Sequence, residues 1–179
     1  ILGRDGNDFV DAGDGADNVW GGLGADKIYG GAGNDMIQGG ETDVLVADIG
    51  DSLFGEAGDD TIWGDNGDDY IDGGIGNDYL DGGNNVNFMN DGNDTIRGGD
   101  GDDRIMGRDG NDKLYGDGGA DKIWGGLGAD NISGGDGNDI LDGGDALDLT
   151  ADGGDTIQGG NGDDLVVGGP DHIIELRDG

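Results

Sequence analysis

An aliphatic residue recurs along this chain at a spacing of nine. Val10, Val19, Ile28 and Ile37 open the series, and Ile157, Val166 and Ile173 close it. Aligned on that residue, the chain resolves into a tandem repeat of the form G-G-x-G-x-D-x-U-x, with U aliphatic. Gly21 to Tyr29 (GGLGADKIY) runs directly into Gly30 to Gln38 (GGAGNDMIQ), and Gly125 to Ser133 (GGLGADNIS) into Gly134 to Asp142 (GGDGNDILD). From Gly3 onward there are 16 full units and a shortened seventeenth at Gly168. The eighth place holds only Val, Ile or Leu, and the sixth place only Asp.

Each place has a physical job. The first six residues carry Gly where a tight turn needs left-handed or crowded backbone. The last three form a minimal strand, in which the eighth side chain points one way and the seventh and ninth the other. The aliphatic row is therefore expected to face a thin core. The seventh and ninth places, which carry Phe9, Trp20, Tyr29, Phe54, Trp63, Tyr70, Tyr79, Tyr115 and Trp124 along with Lys27, Arg97, Arg104, Lys113 and Lys122, are expected to face solvent. A three-residue strand and a six-residue turn suit a solenoid with two units per coil, so that 18 residues make one revolution. Units i and i+2 then stack at about 4.8 Å, the spacing of paired strands. The expected fold is all-β: a parallel β-roll of two parallel sheets with the aliphatic rows between them.

Composition sharpens this picture. The chain has 179 residues, 47 of them Gly, and 42 acidic against 8 basic residues for a net charge of −34. Only Glu41, Glu56 and Glu175 are Glu, which leaves 42 − 3 = 39 Asp. Low hydrophobicity and extreme like-sign charge by themselves predict disorder, so something beyond a hydrophobic core has to order the chain. The same charge excludes nucleic acid and anionic membrane surfaces as partners, since both are bound through Lys and Arg. No apolar run approaches the roughly 18 residues of a membrane span, and there is no Cys for disulfides or thiolate metal sites. No catalytic residues stand out. His172, which Ser52 or Ser133 would need as a base, sits in the shortened last unit and reads as plain surface, so no enzymatic activity is expected.

In its repeated nonapeptides the chain resembles the RTX, or haemolysin-type calcium-binding, repeat family over nearly its whole length. That resemblance implies that turns of adjacent coils hold Ca²⁺ between them, with turn carbonyls and sixth-place carboxylates as ligands. These are Asp8, Asp17, Asp26, Asp35, Asp51, Asp60, Asp69, Asp78, Asp94, Asp103, Asp112, Asp121, Asp130, Asp139, Asp155 and Asp164. It also implies a secreted or cell-surface bacterial protein exported with an uncleaved C-terminal signal. The donor chemistry agrees with calcium. Ca²⁺ takes 6 to 8 oxygens in flexible geometry, whereas Mg²⁺ prefers rigid octahedra, and zinc wants His or Cys. One ion per stacked pair of full units gives 16 − 2 = 14, hence about 14 ions. Folding is then expected to be coupled to calcium binding. The expected role is a calcium-triggered folding, secretion and structural module. The alternatives are a structural spacer of an adhesin or surface layer, or a glycan-binding module of a polysaccharide-modifying enzyme.

Three units break the period. Surplus residues near 41–50, 84–93 and 145–154 share an apolar fifth residue (Leu45, Phe88, Leu149) and an Asp at the eighth (Asp48, Asp91, Asp152). They fall in the fifth, ninth and fifteenth units and so are expected along one edge. Tolerated surface loops are the plain reading; a glycan- or protein-binding edge, or one that adds ligands, is the sharper one. Ile1 and Leu2 fit the last two places of a preceding unit, and 168–179 reads as a degenerate last repeat approaching a cap. The whole chain is therefore expected to be a single β-roll segment of a larger exported protein.

Overall fold

The computed structural model describes residues 1–40, 48–83, 91–144, 153–167 and 173–175. Among these, all regular structure is β, and no helix is long and apolar enough to cross a membrane. The strands form two nine-stranded sheets, parallel throughout. In chain order, the first sheet contains β1 (Leu2–Asp5), β3 (Asn18–Leu23), β5 (Met36–Gln38), β7 (Thr61–Trp63), β9 (Tyr79–Asp81), β11 (Arg104–Asp109), β13 (Lys122–Leu127), β15 (Ile140–Asp142) and β17 (Leu165–Val167). The second contains β2 (Phe9–Asp14), β4 (Lys27–Ala32), β6 (Ser52–Ala57), β8 (Tyr70–Ile75), β10 (Thr95–Asp100), β12 (Lys113–Gly118), β14 (Asn131–Asp136), β16 (Thr156–Asn161) and β18 (Ile173–Glu175). Successive strands alternate between sheets, so each coil holds two units. This is a parallel β-roll.

Register follows the repeat. Val10 pairs with Ile28 and Ile105 with Ile123, steps of 18 residues. Ile28 pairs with Leu53, a step of 25, so the seven surplus residues leave the aliphatic rows aligned. The buried apolar core consists entirely of eighth-place residues, from Val10 to Ile157. At the last coil Val166 is only partly buried. Ile174, not Ile173 as the repeat suggests, pairs with Ile157 and so holds the last eighth place at 43% exposure, while Ile173 pairs with the outward-facing Thr156 and is 62% exposed.

Most strands are longer than the three residues the sequence suggests. β13, for example, continues through the first three places of the next unit. Its burial alternates from exposed Lys122 through buried Ile123 and half-buried Trp124 to buried Gly125. The first-place Gly thus faces inward beside the aliphatic row, and the chain turns outward only at the second place. That place takes positive φ in 13 units among the described residues, and Gly supplies it in eight of them.

The connections carrying surplus residues run from β5 to β6, β9 to β10 and β15 to β16, each crossing from the first sheet to the second. They start and end on one edge of the roll. Leu45, Phe88, Leu149, Asp152, Asp171 and His172 lie outside the described residues.

Candidate metal centre

The sixth-place aspartates are brought together by coil stacking. In each after the first of its edge, Oδ1 accepts a hydrogen bond from the backbone N–H of the sixth-place Asp one coil earlier. Asp26 accepts from Asp8, Asp51 from Asp26 and Asp69 from Asp51, all at 2.7 Å. The series continues through Asp94, Asp112, Asp130 and Asp155. On the other edge Asp17, Asp35, Asp60, Asp78, Asp103, Asp121, Asp139 and Asp164 are joined in the same way. All 16 sequence-selected aspartates therefore lie in two ladders, one per edge.

The second carboxylate oxygen is treated differently. At Asp8, Asp26, Asp35, Asp51, Asp60, Asp69, Asp78, Asp94, Asp103, Asp112, Asp121 and Asp139, Oδ2 is buried with no hydrogen-bond partner. A buried anionic oxygen without a donor is costly. The two ion pairs among the described residues, Arg97 with Asp117 and Arg108 with Asp81, do not touch the ladders.

Each Oδ2 opens onto a cradle that a side chain would fill. A Cβ on Gly73 would press into Asp78 Oδ2 and come within 2.6 Å of the Gly98 carbonyl oxygen, one coil on. Gly107 stands in the same relation to Asp112 and, at 2.6 Å, the Gly125 carbonyl, and Gly98 to Asp103 and, at 2.7 Å, the Gly116 carbonyl. The first-place Gly is thus favoured by the oxygens converging there, and the second unit departs from it with Ala12. Carboxylate and carbonyl oxygens from two coils around a small space are the donor set of a hard cation such as Ca²⁺. No three acidic, His or Cys side chains among the described residues are gathered closely enough to hold an ion unaided, so carbonyls have to complete any site.

Burial is the main electrostatic influence on these groups. It pushes Asp51 up to about 8, Asp94 to about 9 and Asp103 to about 7. Asp60, Asp78, Asp112 and Asp121 rise to about 6, and Asp69 rises well above the ordinary range. Neighbouring carboxylates add to the rise, while the ladder hydrogen bond opposes it. Asp8, Asp17 and Asp164, in the end coils, are only half-buried.

A further ladder was not anticipated from the sequence. At the fifth place, side-chain oxygens accept from the backbone N–H of the following coil, opposite in direction to the aspartate ladders. Asp59 accepts from Asn77, Asn77 from Asp102, and Asp102 from Ala120, at 2.8 to 2.9 Å. The available signal was the excess of Asn and Asp at that place.

No curated protein matches the chain. A family model described as the RTX calcium-binding nonapeptide repeat, four copies to the model, matches residues 2–37, 47–80, 54–89, 90–123, 115–148 and 150–172. With a parallel β-roll, stacked aspartates and this match along most of its length, the chain belongs to the RTX calcium-binding nonapeptide repeat family and is a calcium-binding repeat module.

Proposed function

We propose that both ladders, Asp8 to Asp155 and Asp17 to Asp164, hold Ca²⁺ between successive coils, and that loading them folds the chain after export to the cell surface or the medium. The carrying observation is the row of buried Oδ2 atoms with no donor, each beside a first-place carbonyl of the next coil. Sixth-place carboxylates and first-place carbonyls are the ligands, at about 14 ions, one per stacked pair of turns. Calcium binding is coupled to folding because the aliphatic core is one residue wide and the carboxylates repel one another without cations. The module serves secretion, folding and structure of a larger protein. Circular dichroism of the chain in chelator, Ca²⁺ and Mg²⁺ tests this. β structure is expected to form cooperatively with Ca²⁺ alone, and equal folding in chelator or equal rescue by Mg²⁺ overturns it.

One observation favours glycan binding as a second role. Phe9, Tyr29, Phe54 and Tyr70 form a ring row on the second sheet, with centroids 5.8, 4.8 and 5.6 Å apart. Tyr29 and Phe54 are stacked within 14°, and the Lys27 ammonium lies over both. Retention on an alginate column that Phe54→Ala abolishes supports this role, and passage of the unaltered chain in the flow-through removes it.

A further inference from the structure

On the edge that carries the long connections, a second acidic series runs beside the ladder. In the fifth unit Asp48 stands three residues before the ladder residue Asp51, and in the ninth Asp91 stands three before Asp94. The Cβ position of Gly40 lies against Asp48 Oδ2, and that of Gly83 against the Asp91 carboxyl. These second-place glycines lack the positive φ of Gly22, Gly31 or Gly99. In the coil between them, the seventh unit carries Asp65 where the repeat has its second Gly, and holds it at φ 74°. The first sheet is also altered here. β5, β7 and β9 stop at the ninth place, whereas β3, β11 and β13 continue through the glycines.

Asp48 and Asp65 share the electronic arrangement of the ladder residues. Asp48 Oδ1 accepts from the N–H groups of Gly24 and Ile49, both at 2.9 Å, and its Oδ2 is buried without a partner. Asp65 is 2% exposed; its carboxyl is hydrogen-bonded by the Gln38 side chain, and its Oδ2 is likewise buried without a partner. Both residues border one cradle, since the Gly40 Cβ position that touches Asp48 Oδ2 is 3.3 Å from Asp65 Cβ. Asp91, 2% exposed, adds its charge from the next coil. The neighbouring cation, Arg108, is committed to Asp81.

We propose that Asp48 and Asp65 bind one further Ca²⁺ ion, outside the two ladders, in the cradle beside Gly40. Two carboxylate oxygens with neither solvent nor donor, and a third carboxylate behind them, are hard oxygen donors of the kind a calcium site uses. The ion ties the fifth unit to the seventh at the point where the first sheet's pairing is cut short. The site depends on the calcium reading above only in sharing its metal.

Native mass spectrometry of the calcium-loaded chain counts the ions. Asp65→Gly restores the residue the repeat prefers at positive φ, and Asp65→Asn keeps the shape while removing the charge. Each is expected to hold one ion fewer than the unaltered chain while folding to the same β content in saturating Ca²⁺. Asp117→Gly, which removes a second-place carboxylate paired with Arg97 on the other edge, is expected to leave the count unchanged. An unchanged count in either Asp65 variant overturns the site, and so does equal loss in Asp117→Gly. If Asp65→Gly does not fold, the count in Asp65→Asn decides. An unaltered chain that binds no calcium at all instead overturns the ladder reading.

Discussion

Arg108 clasps Asp81 across one coil step, with Nε donating to Oδ1 at 2.7 Å and Nη2 to Oδ2 at 2.6 Å. The pair joins a ninth-place residue to a second-place residue of the following coil. Arg97 and Asp117 repeat the relationship with the charges exchanged, at 2.9 Å for both bonds, and Gln38 and Asp65 repeat it without a cation. The second place takes positive φ in most units, and among the described residues every non-Gly residue with positive φ occupies it: Arg4, Glu56, Asp65, Arg108 and Asp117. At three of these five positions the backbone cost is offset by a bond to the coil before.

These pairs differ in burial, so their removal should have opposite effects. Asp81 is fully buried, and Arg108→Gly leaves its carboxylate without its cation, at a cost of about 3–5 kcal/mol. Relief of the left-handed conformation returns about 1–2 kcal/mol. A net destabilisation of roughly 1–4 kcal/mol is expected. Asp117 and Arg97 have side chains 36% and 48% exposed, and such a pair contributes about 0–1 kcal/mol. Asp117→Gly should therefore be neutral or slightly stabilising. Urea unfolding in saturating Ca²⁺ compares the two, and a larger loss in Asp117→Gly would contradict the burial argument.

The pH response of the metal-free chain follows from the raised carboxylates. Asp51, Asp94 and Asp103 reach about 8, 9 and 7 in the fold, against an ordinary value of 3.8. The folded state then binds more protons than the unfolded state between those limits, and its stability falls as pH rises through them. Acid below about pH 4 should favour the calcium-free fold, and that stabilisation should fall away as pH rises through the raised values of about 6 to 9. Circular dichroism of metal-stripped chain at pH 4 and pH 8 checks this. More β structure at pH 8 than at pH 4 would reverse the sign and reject the burial argument.

The core and the ladders were legible in the sequence because one residue class fills each place: Val, Ile or Leu at the eighth and Asp at the sixth. Coil length followed from the same period, and the registers of Val10 with Ile28 and Ile105 with Ile123 show it. The second place was harder to read. Gly dominates it, so Asp65, Arg108 and Asp117 look like substitutions without consequence until φ shows their conformational cost and stacking supplies their partners. Pairing each with the ninth place one coil earlier would have exposed Gln38, Asp81 and Arg97. Asp81 shows why exposure was misjudged there: ninth-place residues point outward, yet this one is fully buried beneath its Arg108 contact. Strand length was underestimated because the first-place Gly, taken as turn, is an inward-facing strand residue.

Position along the roll should grade the aspartates. Asp69 lies mid-ladder, bonded to Asp51 before it and Asp94 after it, and is 3% exposed. Asp8 has one ladder neighbour, Asp26, and is half-buried. Solenoid stability is roughly a sum of nearest-neighbour terms. Asp69→Ala should therefore raise the calcium midpoint of folding several-fold more than Asp8→Ala. Equal midpoints would show that the ladder rungs act independently of stacking.

The first-place glycines offer the sharpest separation between fold and ligand. Gly73 has no positive φ to forbid a side chain, so an alanine there is opposed only by what its Cβ meets: Asp78 Oδ2 and, at 2.6 Å, the Gly98 carbonyl oxygen. Those are the oxygens that the calcium reading assigns to one ion, so Gly73→Ala either displaces the ion or forces the coils apart. Gly118, in the third place, meets nothing nearer than 3.9 Å. Gly118→Ala should be tolerated or gain about 0.4–1 kcal/mol through the unfolded chain. Calcium titration of both variants followed by circular dichroism is the comparison to make. Gly73→Ala is expected to need several-fold more Ca²⁺ to fold and to hold at least one ion fewer, with Gly118→Ala matching the unaltered chain. A Gly73→Ala chain with unchanged midpoint and ion count would mean that the space beside Asp78 Oδ2 is not where the metal sits.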